Sequence, residues 1–404
     1  MNQNELTIIN GLIPSEFLPH PQDNPAQPGF QSAHIDIKRG LICKVDHQMP
    51  LTSDCPVLDA TDCIILPGFI DVHIHGALGS SAMEGTAAAF QTMADYCVTR
   101  GVTAFLPTTA TAPHRDILLA AQAVAEHQTS SISTTHKGAR ILGTHIEGPY
   151  ISPVFPGAQP AAYIRPPDLV EFNELAATGA VRMITLAPEV VGAQALIQAA
   201  CEQHIVAVIG HTDASYEQCE AAIAYGANQA THTYNAMLGL HHRRPGTLGA
   251  ILSNDQVYAQ LIADNIHVHP AAMNILARCK GPARTILITD AIQATGLEEG
   301  EYTFAGQQVT VQDGACRLAD GTLAGSVLTM DRALINFMAA TGLSLADAWP
   351  TTSRTPAQSL GLGHRFGEIA PGYQADLVLL NDDLDVMATV VGGEVAYSTL
   401  PNNS

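Results

Sequence analysis

Residues 67–76 read Pro67-Gly68-Phe69-Ile70-Asp71-Val72-His73-Ile74-His75-Gly76, a turn followed by an apolar run that carries two histidines one residue apart. The β-branched run predicts a buried strand, and the alternation of side chains along a strand places both histidines on one face. Two imidazoles on one face can bind the same metal ion, although a His-x-His pair also arises by chance. The stretch therefore predicts a strand with a candidate metal site at its carboxyl end.

Seven further short apolar runs follow, each closed by polar residues and most of them followed by an Ala-rich helical stretch. The eight runs are Phe69–His75, Ala104–Thr109, Ile141–Glu147, Met183–Glu189, Val206–His211, Gln229–Asn235, Ala259–Asp264 and Thr285–Asp290. Eight strand-helix units predict an α/β fold of the (β/α)₈ barrel type. Such barrels carry their chemistry at the carboxyl ends of the strands, so the polar residues that close these runs are expected to share one face.

The two ends of the chain differ from this central unit, because both combine short strand-like runs with turn residues. We expect residues 1–66 and 367–404 to form a small β-sandwich domain, and residues 67–366 to form the barrel. Residues 302–318 alternate in polarity around an Asp313-Gly314 turn, which predicts a β-hairpin inserted after the eighth strand.

Composition excludes several classes of partner. The chain has 18 Lys and Arg against 38 Asp and Glu, a formal charge of −20, which argues against nucleic acid and anionic membranes as partners. The eight cysteines form no C-x-x-C pair, and residues 1–5 lack the charge pattern of a secretory signal. A cytoplasmic protein with reduced thiols is expected.

Three strand ends carry a second set of candidate metal ligands. Glu147, His211 and His232 close strands three, five and six. A carboxylate and two imidazoles suit zinc or ferrous iron, and three protein ligands leave one position open for water, as in catalytic sites. Each residue alone is more often structural, but their joint placement at strand ends favours a metal centre.

Two more features complete the candidate site. Asp290 closes strand eight and can act as general base and acid, although an N-cap role also suits an aspartate there. The sequence His241-His242-Arg243-Arg244 and the loop that contains His267 are candidate anion-binding groups, with a solvated loop as the alternative.

Together these segments resemble the amidohydrolase superfamily, and within it the N-acetylglucosamine-6-phosphate deacetylase family, over essentially the whole chain. The segments that carry the resemblance are 145–149 (His-Ile-Glu-Gly-Pro), 210–214 (Gly-His-Thr-Asp-Ala), 231–237 (Thr-His-Thr-Tyr-Asn-Ala-Met), 241–246 (His-His-Arg-Arg-Pro-Gly), 262–268 (Ile-Ala-Asp-Asn-Ile-His-Val), 288–291 (Ile-Thr-Asp-Ala) and 323–326 (Leu-Ala-Gly-Ser). The resemblance implies metal-dependent hydrolysis of the N-acetyl group of an amino-sugar phosphate by a homodimer.

The resemblance also implies roles for individual residues. The main metal would be bound by Glu147, His211 and His232, a second metal by His73 and His75, and the proton would be shuttled by Asp290. The substrate would be contacted by Asn235 and Ala236, and its 6-phosphate by His267 and by Arg243, which would reach across the dimer interface. The sugar and acetyl pocket would be lined by Ala158, Leu323, Ala324 and Gly325. One zinc or iron(II) ion, or two, would bind per subunit.

One position departs from the family pattern. The family usually has a histidine that polarises the amide carbonyl where this chain has Gln159. Gln159 can donate a hydrogen bond but carries no charge, so we expect it to polarise the carbonyl less strongly, with a slower reaction or an altered preference.

Alternatives to the glucosamine substrate stay open at this point. The galactosamine epimer would fit the same motifs, and a barrel that has lost its catalysis and acts as a scaffold is a further alternative. Hydrolases that depend on a lysine after strand four are disfavoured, because that strand ends Leu186-Ala187-Pro188-Glu189.

Overall fold

The computed structural model describes residues 5–18, 28–47, 55–131 and 138–401. The strands are β1 (Leu6–Pro14), β2 (Phe30–Lys38), β3 (Leu41–Asp46), β4 (Val57–Asp59), β5 (Ile64–Pro67), β6 (Phe69–Ile74), β7 (Gly76–Ala77), β8 (Ser80–Ser81), β9 (Val102–Thr109), β10 (Arg140–Ile141), β11 (Thr144–Glu147), β12 (Val181–Leu186), β13 (Val206–Ile209), β14 (Gln229–Ala230), β15 (Tyr258–Ile262), β16 (Thr285–Ile288), β17 (Gly300–Phe304), β18 (Gln307–Gln312), β19 (Ala315–Arg317), β20 (Leu323–Ser326), β21 (Leu377–Leu380), β22 (Val386–Val391) and β23 (Glu394–Ser398).

Helices alternate with the central strands. They are α1 (Ala87–Val98), α2 (His114–Ser131), α3 (Leu169–Ala177), α4 (Ala193–Glu202), α5 (Tyr216–Ala224), α6 (Gly246–Ser253), α7 (Pro270–Lys280), α8 (Met330–Thr341), α9 (Leu345–Ala348) and α10 (Arg354–Ser359), with 3₁₀ turns at Ser15–Phe17, Ala82–Glu84, Ala161–Tyr163 and Trp349–Thr352. None of the helices in the described ranges combines the length and the apolar character that crossing a bilayer requires.

The central strands form a parallel barrel, as the spacing of the apolar runs predicts. Within the described residues the strand order is β6, β9, β11, β12, β13, β14, β15 and β16. The short β10, which precedes β11 in the chain, also pairs in parallel with β9. A helix follows most of these strands, which is the (β/α)₈ arrangement, and the fold prediction is confirmed. The carboxyl ends of all eight strands therefore open on one face.

The barrel closes between β6 and β16 through a buried carboxylate and a few backbone bonds. Asp71 on β6 accepts hydrogen bonds from the Thr289 hydroxyl at 2.5 Å and from the Thr289 backbone N–H at 3.4 Å. The Asp290 N–H donates to the His73 carbonyl, and Ile74 pairs with Ala291. Burial raises the pKa of Asp71 to about 6, which its hydrogen bonds only partly offset. The contacts that close the barrel therefore lie beside His73 and His75.

The terminal segments form a β-sheet domain, as expected. Its strand order is β23, β22, β21, β5, β1, β2 and β3, with β4 on β1, so the two chain ends meet where β5 pairs with β21. Leu377 and Leu379 of β21 join the core of this domain, whereas Val378 and Leu380 pack against the barrel core. The boundaries at residues 66 and 367 remain a prediction.

The insertion after β16 is larger than the predicted hairpin. The Asp313-Gly314 turn joins β18 to β19 as expected, but β17 and β20 extend the unit to a four-stranded antiparallel sheet that spans residues 300–326. A further turn, in which the Gly321 N–H donates to the Leu318 carbonyl, leads from β19 into β20 beyond the predicted limit. This insertion sheet packs on the open face of the barrel through Phe304 and Ala324.

We predict that Asp71→Ala destabilises the fold by about 2–4 kcal/mol, because it leaves the Thr289 hydroxyl and N–H and the His73 N–H without their buried acceptor. Asp71→Asn keeps an acceptor oxygen and should cost less. Urea denaturation followed by the fluorescence of Trp349 measures both variants. An unfolding midpoint of Asp71→Ala equal to that of the wild type would contradict this account of closure.

Candidate metal centre

The candidate ligands lie at strand ends, where the backbone leaves the extended conformation. Glu147 is the last residue of β11, whereas His211, His232 and Asp290 each follow their strand by two residues. All three have left-handed φ values, of 47°, 25° and 51° respectively. Such values are unfavourable for residues other than glycine and cluster at functional sites. The strands are therefore shorter than their apolar runs predict, because the ligand residues turn inward.

The carboxylate of Glu147 lies between two pairs of imidazoles. Its Oε1 is 3.1 Å from His232 Nε2, 3.2 Å from His211 Nε2 and 3.4 Å from His73 Nε2, and its Oε2 is 3.3 Å from His75 Nε2. These side chains are buried, with at most 4% of each residue exposed. They form two groups suited to a metal ion, His73 with His75 and Glu147, and Glu147 with His211 and His232. Glu147 belongs to both.

The hydrogen bonds on the outer, Nδ1 edges of the histidine rings indicate that the cluster suits a cation. The Nδ1 atoms of His75 and His211 lie 3.0 and 3.1 Å from the carbonyl oxygens of Thr108 and Phe155. A carbonyl only accepts, so each Nδ1 carries a proton, and Nε2 is the nitrogen that faces the cluster and that would bind a metal ion in its unprotonated form. This backbone anchoring is typical of histidines that bind metal. The donor set therefore fits a divalent metal ion.

The carboxyl groups of Glu147 and Asp290 are ionised, because their pKa values are lowered. Burial alone would raise the pKa of Glu147, but His73, His211 and His232 outweigh it and hold this pKa well below its ordinary value. Burial likewise opposes ionisation of Asp290, yet His73 and His75 lower its pKa to about 2. Asp290 Oδ1 lies 3.4 Å from His73 Nε2 and 3.2 Å from His75 Nε2. Asp290 is thus an ionised base beside the cluster.

A cavity of about 370 Å³ opens over these residues. Its lining comprises His75, Glu147, Val154, Phe155, Pro156, Gly157, Ala158, Gln159, His211, His232, Asn235, Ala236, His267, Asp290, Phe304, Thr322, Leu323 and Gly325. No lysine or arginine among the described residues lines it. The volume suits a small molecule such as a monosaccharide derivative.

Most of the expected substrate contacts line this cavity. Ala158, Asn235, Ala236, Leu323 and Gly325 all do so. His267 does so as well, and its Nδ1 is 2.6 Å from Asp264 Oδ2, while Asp264 Oδ1 accepts the backbone N–H of His267.

Three predicted residues are placed differently. Ala324 is fully buried in the core of the insertion sheet, because strand alternation points it away from its lining neighbours Leu323 and Gly325. Arg243 is exposed and contacts His242 rather than the cavity of its own chain. Gln159 lines the cavity, but its side-chain amide bonds to Glu147 and Thr111.

Sequence reasoning missed the aromatic wall of the cavity. The Phe304 ring lies 5.0 Å from the His75 ring, edge to face, and covers the side of the cluster that faces the insertion. No motif surrounds Phe304, so only the alternating pattern of 302–318 could have suggested an inward side chain there.

Comparison with known proteins decides the family. The model of the Amidohydrolase family matches residues 64–396. The chain belongs to the amidohydrolase family. It is 38% identical over 371 residues to N-acetylglucosamine-6-phosphate deacetylase of Bacillus subtilis (strain 168), which covers 91% of this chain and 93% of that protein. The resemblance inferred from the motifs is confirmed.

Two other similarities bear on the substrate. N-acetylgalactosamine-6-phosphate deacetylase of Escherichia coli O157:H7 is 37% identical over 335 residues, 82% of this chain and 88% of that protein. The structure of N-acetyl-D-glucosamine-6-phosphate deacetylase from Mycobacterium smegmatis, a mutant in complex with N-acetyl-D-glucosamine-6-phosphate, has a TM-score of 0.87, 30% identity and coverage of 98% of this chain and 100% of that one. This amidohydrolase thus shares its whole fold with a sugar-phosphate deacetylase.

We predict that Glu147→Ala binds at least about tenfold less zinc than the wild type at equal free zinc, because both ligand groups lose their shared carboxylate. Elemental analysis after reconstitution and desalting measures this. His114→Gln is the matched control, since His114 pairs with Glu174 outside the cluster. Wild-type zinc content in Glu147→Ala would exclude Glu147 as a ligand.

Proposed function

We propose that this amidohydrolase hydrolyses the N-acetyl group of N-acetylglucosamine 6-phosphate, releasing acetate and glucosamine 6-phosphate. The observation that carries the proposal is the placement of Asp290 against a buried cluster of one carboxylate and four imidazoles, at the floor of a cavity of monosaccharide size. Relatives that share more than four fifths of the chain carry deacetylase names. The reaction takes up one water and exchanges the amide C–N bond for a carboxylate and an amine.

The residues of the cluster would hold zinc or iron(II), with Glu147, His211 and His232 on one ion and His73 and His75 with Glu147 on a second. A divalent ion here supplies Lewis acidity and makes water more acidic. Asp290 is ionised, so it accepts the proton of the attacking water and then delivers it to the leaving nitrogen.

His267 supports recognition of the 6-phosphate. Asp264 fixes its Nδ1 edge, so Nε2 is the ring nitrogen that would meet a ligand in the cavity. In a protein of charge −20, an anionic substrate needs such local donors. The bond to Asp264 holds the His267 ring in one orientation at the cavity wall, where a phosphate oxygen could meet it.

A second subunit would complete the phosphate site. Arg243 is exposed, and so are Leu238 and Leu240 beside it, at 36% and 58% exposure, and Val154 at the cavity rim, at 63%. Several large apolar side chains exposed in one region are typical of an interface. We infer a homodimer in which Arg243 of one subunit contacts the phosphate bound by the other. We also propose a cytoplasmic location, as expected from the sequence.

The galactosamine epimer remains the second candidate substrate. Its support is the 37% identity to a deacetylase named for N-acetylgalactosamine 6-phosphate. The two sugars differ only in the configuration at one hydroxyl carbon, so relative kcat/KM values decide between them.

We predict that Asp290→Asn lowers kcat for acetate release from N-acetylglucosamine 6-phosphate by about 10²–10⁴-fold, because the amide cannot take a proton from water. Bound zinc should stay at the wild-type level. Asp313→Asn, in the turn of the insertion sheet, is the control for the charge change. Near-normal turnover of Asp290→Asn would refute its role as base.

We predict that Arg243→Ala raises KM for the phosphorylated sugar by about 10–100-fold, the worth of one charge-assisted contact. If Arg243 acts across an interface, mixing Arg243→Ala chains with Asp290→Asn chains creates heterodimers with one intact site. Turnover at low substrate should then exceed that of either variant alone. No recovery after subunit exchange, verified by mass, would contradict an intersubunit contact.

A further inference from the structure

The side chain of Gln159 connects two barrel loops through both ends of its amide. Its Oε1 accepts the backbone N–H of Thr111, which follows β9, at 2.7 Å. Its Nε2 donates to Glu147 Oε2, at the end of β11, at 2.6 Å. Only 5% of the residue is exposed, so neither bond competes with bulk water. The glutamine therefore fixes Glu147 relative to the neighbouring strand.

The direction of this amide is determined by its partners. A backbone N–H can only donate, so the atom that faces Thr111 must be the oxygen. The atom that faces Glu147 is then the NH₂ group, which is what an ionised carboxylate requires. With the oxygen and one N–H engaged, the side chain has little freedom to turn toward a substrate.

The bond distinguishes the two oxygens of Glu147. Oε1 faces His211, His232 and His73, whereas Oε2 faces His75 and Gln159. A partial rotation of the carboxylate plane would move both oxygens away from the imidazoles that they face. The hydrogen bond from Gln159 opposes that rotation.

We propose that Gln159 is a positioning residue for the candidate metal centre: it holds the Glu147 carboxylate in the orientation in which it faces both ligand groups, and it thereby raises metal affinity. This inference rests on the proposed metal-dependent function. It replaces the expectation, drawn from the sequence, that Gln159 acts mainly by polarising the substrate carbonyl.

The two roles predict different results for Gln159→Leu, which removes both hydrogen bonds at similar volume. A positioning role predicts that the dissociation constant for Zn²⁺ rises about 10–100-fold, the usual effect of losing a partner of a metal ligand. A direct role in polarising the carbonyl predicts unchanged zinc affinity and a kcat that falls about 10²–10³-fold in zinc-saturated protein.

Competition with a chromophoric chelator measures the zinc affinity of the wild-type, Gln159→Leu, Gln159→His and Gln307→Leu proteins. Gln159→His keeps an N–H donor and should recover most of the affinity. Gln307→Leu is the matched control, because the Gln307 amide donates to the Ala158 carbonyl nearby and does not contact Glu147. Thermal unfolding of the metal-free proteins separates metal affinity from loss of fold.

Weaker zinc binding by Gln159→Leu, with wild-type affinity in Gln307→Leu and an unchanged metal-free melting temperature, is the expected result. Equal affinity in the wild type and Gln159→Leu would overturn the positioning role while leaving the proposed function intact. Failure of the wild type itself to bind zinc or iron(II) would overturn the proposed function and this inference with it.

Discussion

Placing one ionised carboxylate between four imidazoles is the constraint on which this structure depends. Glu147 is almost fully buried, and a buried charge is costly unless its partners compensate it. The barrel supplies those partners from three other strand ends, and backbone carbonyls hold the rings of His75 and His211 with Nε2 facing the carboxylate. Closure of the barrel by Asp71 and Thr289 lies directly beside this cluster, so the stability of the fold and the geometry of the site are linked.

Substrate recognition follows from the shortage of positive charge around the cavity. No arginine or lysine is on the lining formed by the described residues, so the proposed phosphate contact would fall to His267, while Arg243 lies exposed on the surface. In the proposed homodimer, the Arg243 guanidinium of the second subunit would supply positive charge next to the phosphate and nowhere else in the cavity. The insertion sheet contributes another wall of the cavity, where the Phe304 ring packs edge to face against His75.

The sequence predicts the barrel and the residues that meet in the buried cluster, because both depend on local patterns. Apolar runs mark the strands, and His73, His75, Glu147, His211 and His232 stand at their ends. Contacts that depend on side-chain direction within the folded chain were not predictable in this way. Ala324 shares a motif with Leu323 but points into the insertion core, and the bonds of Gln159 to Thr111 and Glu147 join residues 48 and 12 positions apart. Phe304 lies in no motif, so its place against His75 depends on how the insertion sheet packs.

The most direct test is acetate release by zinc- or iron-reconstituted protein from N-acetylglucosamine 6-phosphate, N-acetylgalactosamine 6-phosphate and unphosphorylated N-acetylglucosamine. We predict the highest kcat/KM for N-acetylglucosamine 6-phosphate, and a value lower by about 10²-fold or more for the unphosphorylated sugar, because it lacks the charge-assisted phosphate contacts. A metal-loaded protein that releases no acetate from either phosphorylated sugar would contradict the account.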